Sequence, residues 1–132
     1  MSADLERLLY ASTAARPTDS LLNLAEILAV SQRNNDRDGL TGALAVHEGR
    51  FIQVVEGRSD ALNSLLARLK TDARHRDIRI IDRQPVAARQ FGQWSMASAR
   101  ITPDLQDALD AVMADSGADA ERLVERLKAA AG

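Results

Sequence analysis

Asn34–Gly57, NNDRDGLTGALAVHEGRFIQVVEG, is the stretch on which the fold turns. It opens on two asparagines and Asp36 at the end of a helical pattern, and Gly39 supplies a turn. Leu40 to His47 reads as a strand. Glu48-Gly49 is a tight-turn pair, and Arg50 to Glu56 returns as a second strand. A helix feeding a hairpin is the middle of a split β-α-β arrangement. On the returning strand the period of two puts Phe51, Gln53 and Val55 on one face. A carboxamide on an apolar face needs a partner, because an unpaired buried amide is costly. With Asn34 and Asn35 close by, three amides converge on one region, which suits a flat heterocycle with mixed donors and acceptors.

Outward from this stretch the pattern is regular. Leu5 to Thr13 reads as a first strand, with Leu8, Tyr10 and Ser12 on one face and Arg7, Leu9 and Ala11 on the other. Thr18, Asp19 and Ser20 offer caps for a helix reaching about Arg33. Leu21, Leu24, Ala25 and Leu28 give it an apolar stripe, which Ile27 widens. Ser59 reads as the cap of a second helix, with Leu62, Leu65, Leu66 and Leu69 as its stripe and an end near Asp72. Ile78 to Asp82 and Gln93 to Ala99 read as further strands, and alternation puts Trp94, Met96 and Ser98 on one face. Thr102-Pro103 is a strong helix start. Leu105, Leu109, Val112 and Met113 form that helix's apolar side. Gly117 breaks it, and a last helix over about Ala118 to Ala130 carries Ala120, Leu123, Val124 and Leu127.

The order β-α-β-β-α-β-β followed by two helices predicts an α+β, ferredoxin-like fold. It has a five-stranded mixed sheet with two helices on one face and with its first and third strands central and parallel. Leu9, Ile52 and Val54 then line the opposite face, so the C-terminal helices or a second subunit must cover it. Residues 1–100 form the core domain and residues 101–132 a helical extension of the same globule.

The chain's 132 residues suffice for one domain with a real core. A net charge of -2 gives no electrostatic case for nucleic acid or an anionic membrane. The absence of cysteine excludes disulfides, thiol catalysis and a cysteine zinc site, and fits a cytoplasmic protein. No run approaches transmembrane length. His47 and His75 lack a partner at metal-ligand spacing, so no metal is expected. No nucleophile–base–acid set or phosphate-cradling glycine loop is present, so an enzyme is not expected.

Five pieces together resemble the BLUF family of flavin-binding blue-light sensors. They are LLYAS around Tyr10, SQRNN…DGLTG from Ser31 to Gly42, FIQVVEG from Phe51 to Gly57, Asp72-Ala73-Arg74-His75, and the F-x-x-W-S-M run from Phe91 to Met96. They occur in the family's order and span Leu5 to Ala99, and the trailing helices are like those of the short, single-domain members. The resemblance implies a photoreceptor in which Tyr10 is the redox-active tyrosine and Gln53 the switching glutamine. It implies that Asn34 and Asn35 bind the flavin edge and that Ile27 and Leu69 wall the ring. Arg68 and Arg74 fall near the ribityl-phosphate portion, and Trp94 and Met96 on the strand that carries the signal outward. The implied cofactor is FAD, with FMN as the alternative. The implied partners are a homo-oligomer and a downstream protein. Two rival readings keep the same scaffold. A flavoenzyme would turn over a reductant, and a ligand-free dimerisation module would bind no chromophore.

Overall fold

The computed structural model describes residues 5–14, 21–47, 49–72, 75–92, 94–114 and 120–131. In chain order the elements are β1 (Leu5–Ala14), α1 (Leu21–Asp38), β2 (Thr41–His47), β3 (Arg50–Arg58), α2 (Ser59–Thr71), β4 (His75–Pro85), β5 (Ala97–Ser98), α3 (Pro103–Ala114) and α4 (Ala120–Ala130). The five strands form one sheet in the order β4-β1-β3-β2-β5, the expected mixed, ferredoxin-like arrangement.

One expectation about direction is corrected. β1 and β3 are central neighbours, but they run antiparallel. β3 is also antiparallel to β2. A split crossover leaves room for a third strand between the two it joins, so β1 and β2 are the parallel pair and β3 lies between them. β5 adds to β2 in parallel at the far edge.

Each face of the sheet carries its own core. Leu8, Tyr10, Leu44, Phe51 and Val55 pack with Ile27 of α1 and Leu62, Leu65 and Leu69 of α2. Leu9, Ala11, Ala43, Ala45, Ile52 and Val54 pack with Leu105, Leu109 and Val112 of α3 and Leu123, Val124 and Leu127 of α4. The C-terminal helices thus cover the second face within the same chain. Each such leucine or valine, fully buried, stabilises by roughly 1.5–3 kcal/mol before chain entropy is counted.

Local chemistry explains the boundaries. Gly39 and Gly49 hold φ of +70° and +76° at the two turns that bracket β2, a region that costs other residues a Cβ clash. Gly42 is needed for a different reason, since a Cβ there would come within 2.0 Å of the Val54 carbonyl oxygen. The Thr102 hydroxyl accepts the Leu105 N–H at 3.1 Å, a true N-cap for α3. Ser59, by contrast, is the first helical residue of α2. Its cap position is Arg58, which makes no side-chain capping bond.

Other sequence expectations shift in detail. α1 runs on past Arg33 to Asp38. In its stripe Ile27 is buried, Leu28 is half-buried and Ala25 is exposed, while the side chains of Leu21 and Leu24 lie outside the described residues. β4 extends from His75 to Pro85, well beyond Ile78–Asp82. β5 is only two residues long. Residues before it do not alternate as a strand, so Trp94 packs against the α3/α4 core while Met96 packs against the α1/α2 core. The proposed caps Thr18, Asp19 and Ser20 and the break at Gly117 lie outside the described residues, as does the side chain of Met113. Among the described residues no helix is long and apolar enough to cross a membrane.

Candidate functional site

α1 and α2 do not close on each other over the sheet. Between them lies a cavity of about 390 Å³ whose lining includes Tyr10 and Gln53. That is within the roughly 300–1,000 Å³ usual for small-molecule sites. α1 contributes Ile27, Val30, Ser31 and Asn34, and α2 with its C-cap contributes Leu65, Arg68, Leu69 and Asp72. Both sets follow the spacing i, i+3, i+4, i+7 of a single helix face. Asn35 and Thr71 complete the lining.

Tyr10 and Gln53 are register partners on β1 and β3. Strand alternation turns both toward the helices, and the Tyr10 hydroxyl donates to Gln53 Oε1 at 2.7 Å. Both residues are buried, Tyr10 completely. Burial, aided by the charge of Asp72 and opposed by Arg68, raises the Tyr10 phenol well above its ordinary 10.0. The phenol is therefore neutral and a hydrogen-bond donor at physiological pH.

The polar rim has donors to spare. The Gln53 amide nitrogen and the Asn34 amide donate to none of the described residues, although both residues line the cavity. Arg68 Nη1 lies 3.0 Å from the Asp38 carboxylate, while its Nη2 is buried without a partner. Unused buried donors are costly unless a ligand accepts from them. A planar heterocycle with carbonyl and ring-nitrogen acceptors, walled by Ile27 and Leu69 and carrying an anionic tail toward Arg68, fits this donor set.

The structure brings seven of the eight expected contact residues together: Tyr10, Ile27, Asn34, Asn35, Gln53, Arg68 and Leu69. Arg74 lies outside the described residues. The two asparagines divide their work. Neighbouring residues on a helix point about 100° apart, and Asn35, 2% exposed, turns its Nδ2 to the Ser95 carbonyl at 2.7 Å. Asn34 is half-buried and faces the cavity. Val30, Ser31, Leu65, Thr71 and Asp72 were not expected there. Extending the helical spacing from Ile27 and Leu69 would have found all of these but Thr71. Among the described residues no group of His, Asp and Glu could hold a metal ion.

Comparison with known proteins identifies the family. A relative among photoactivated adenylate cyclases, the beta subunit of Euglena gracilis, is 35% identical over 111 residues; these cover 80% of this chain and only 13% of that protein. The solved dark state of BlrB, a BLUF protein, superposes with a TM-score of 0.77 at 28% identity, covering 98% of each chain. A bacterial light-regulated adenylyl cyclase gives a TM-score of 0.72 at 25% identity over 96% of this chain and 40% of its own. The photo-activated state of BlsA, 23% identical, shares the fold with a TM-score of 0.79. The sequence profile described as BLUF, sensors of blue-light using FAD, matches residues 5–97, from the start of β1 to the first residue of β5. With this profile match across most of the chain and a tyrosine–glutamine pair lining its cavity, this chain belongs to the BLUF family of flavin-binding blue-light sensors.

Proposed function

We propose that Tyr10 and Gln53 are the photoactive pair of this sensor and that FAD is its flavin. The observation that carries the proposal is the 2.7 Å bond between the Tyr10 hydroxyl and Gln53 Oε1 at the floor of the cavity. When bound, flavin supplies blue-light absorption and an excited state that takes up an electron. Tyr10 would supply that electron, its hydroxyl proton would pass along its hydrogen bond to Gln53 Oε1, and both would return to it when the flavin recovers. Gln53 offers an acceptor and two donors on one short arm. With Oε1 committed to the phenol, its Nε2–H groups remain free to hold a ring bound in the cavity. Rearrangement of the amide while the phenol lacks its proton would change which acceptors those donors meet. The lasting change is therefore in hydrogen bonding alone, and no covalent adduct is required.

Asn34 and Asn35 hold the ring edge in this reading, Ile27 and Leu69 wall it, and Arg68 and Arg74 meet the phosphate-bearing tail. Residues 1–100 sense light, and the α3/α4 extension, residues 101–132, passes the change on through Trp94, Met96 and β5. The output is contact with a downstream protein or a change in self-assembly. Released cofactor identified by mass decides between FAD and FMN. An absorption spectrum before and after blue light tests the whole reading. The expected result is a yellow protein with a reversible shift to longer wavelength. A protein that stays colourless after incubation with flavin defeats it.

A further inference from the structure

The described residues 89–92 and 94–96 form a strap that touches both cores on the β2 side of the sheet. Phe91 and Trp94 belong to the α3/α4 core, and Met96 to the α1/α2 core. Few bonds hold this strap. At its far end Gly42 N–H donates to the Trp94 carbonyl at 3.1 Å, Asn35 to that of Ser95 at 2.7 Å, and Gln32 to that of Met96 at 3.1 Å. At its near end two groups hold it: the Arg89 guanidinium, bonded to the turn before β2 and to the end of β3, and the buried carboxylate of Glu56, which takes the next two backbone N–H groups.

Glu56 lies near the end of β3, three residues after Gln53 and on the opposite face, and is 1% exposed. Its Oε2 accepts the Gln90 N–H at 2.6 Å. Its Oε1 accepts the Phe91 N–H at 2.8 Å and the Thr41 hydroxyl at 3.1 Å. Among the described residues no cation pairs with this carboxylate. Arg89 instead donates to the Glu56 carbonyl at 3.0 Å, the Gly39 carbonyl at 2.8 Å and Thr41 Oγ1 at 2.9 Å. A buried polar group is costly unless its hydrogen bonds are made, and here the bonds go to the strap. A carboxylate meets two adjacent backbone donors with one oxygen each and brings no donor of its own against them, and such bonds are charge-assisted. Phe91 then passes the constraint on, since its carbonyl accepts the Trp94 N–H at 3.0 Å.

We propose that Glu56 is a positioning residue. Its carboxylate clamps the strap so that movement of the Ser95 and Met96 carbonyls, which accept from Asn35 of the cavity lining and from Gln32 of α1, is delivered to Phe91 and Trp94 in the α3/α4 core. This rests on the blue-light reading above. The test compares flavin-loaded wild type with Glu56→Gln, which keeps the shape but sets an NH2 donor against a backbone N–H. Three quantities are read in the dark and under blue light: the flavin absorption shift, amide exchange at Gln90 and Phe91, and emission from Trp94, the sole tryptophan. In the variant the absorption shift is retained and dark exchange at the two amides speeds up roughly tenfold or more. The light-induced change in Trp94 emission falls severalfold.

Wild-type exchange and a wild-type Trp94 response in Glu56→Gln overturn the clamp. So does loss of the absorption shift, which would place Glu56 in the cavity chemistry itself. A wild type that shifts its absorption but shows no Trp94 response also overturns it. Absence of the shift in the wild type sinks the blue-light reading instead. Should Glu56→Gln not fold, Arg89→Ala loosens the same strap from its solvent side. That variant must separate the retained shift from the weakened Trp94 response, and wild-type behaviour in it counts against the proposal.

Discussion

The two faces of one sheet have been built to opposite ends. Toward α3 and α4 the packing is solid, with Leu105, Leu109, Val112, Leu123, Val124 and Leu127 all within 1% of full burial. Toward α1 and α2 the same strands leave a cavity of about 390 Å³ and place a phenol, a carboxamide and unspent donors around it. Stability is concentrated on one side, and on the other it is given up for a ligand. This division lets a light-driven rearrangement occur on one face without unfolding the other.

Gln53→Leu attacks the cavity side where the effect is largest. The expected outcome is retained flavin and complete loss of the reversible spectral shift, read by absorption before and after illumination. Leu109→Ala attacks the solid side. It should destabilise by about 2–5 kcal/mol in denaturant titration, as for other buried leucines that leave a hole. Leu65→Ala sharpens the contrast. Leu65 borders an existing void, so in flavin-free protein it should cost less than half as much as Leu109→Ala, while flavin dissociation quickens.

A smaller effect follows from Tyr10. Its native phenol holds the proton more tightly than the unfolded chain does, chiefly through burial. Its contribution to stability is full below the ordinary 10.0 and is lost as pH rises beyond it. Wild type should therefore weaken between about pH 9 and about pH 11 more steeply than Tyr10→Phe, as measured by denaturant midpoints. The smallest effect is on the α4 side. Glu121 forms hydrogen bonds with buried Arg7, which lower its pKa from the ordinary 4.5, so this contribution is lost as pH falls through the acid range. Glu121 itself is exposed, and Asp82 remains 3.6 Å from the Arg7 guanidinium. Glu121→Gln should cost under about 1 kcal/mol, seen as a flatter acid limb.

Much of this contrast was legible in the residues. Alternation in β1 and β3 sorted Tyr10 and Gln53 from Leu9, Ile52 and Val54, because the side-chain period of a strand is fixed. Apolar spacing located both helix layers. The direction of the central pair was not legible, since periodicity says which way a side chain points and nothing about which way a neighbouring strand runs. Trp94 and Met96 were misassigned to one face for a related reason. Alternation holds only while the backbone is extended, and the strap takes its shape from bonds to Glu56, Asn35 and Gln32, which are distant in sequence. Glu56 itself gave no signal, as a carboxylate near the end of a strand usually faces water.

The register between β1 and β3 has a consequence for redesign. Tyr10 stands directly opposite Gln53, and the backbone ladder, not side-chain fit, enforces that meeting. Inserting or deleting a single amino acid within either strand beyond this point would reverse every following side chain. Grafts, tags and length changes that spare light sensing should therefore be confined to the bends between segments, where the ladder does not count residues.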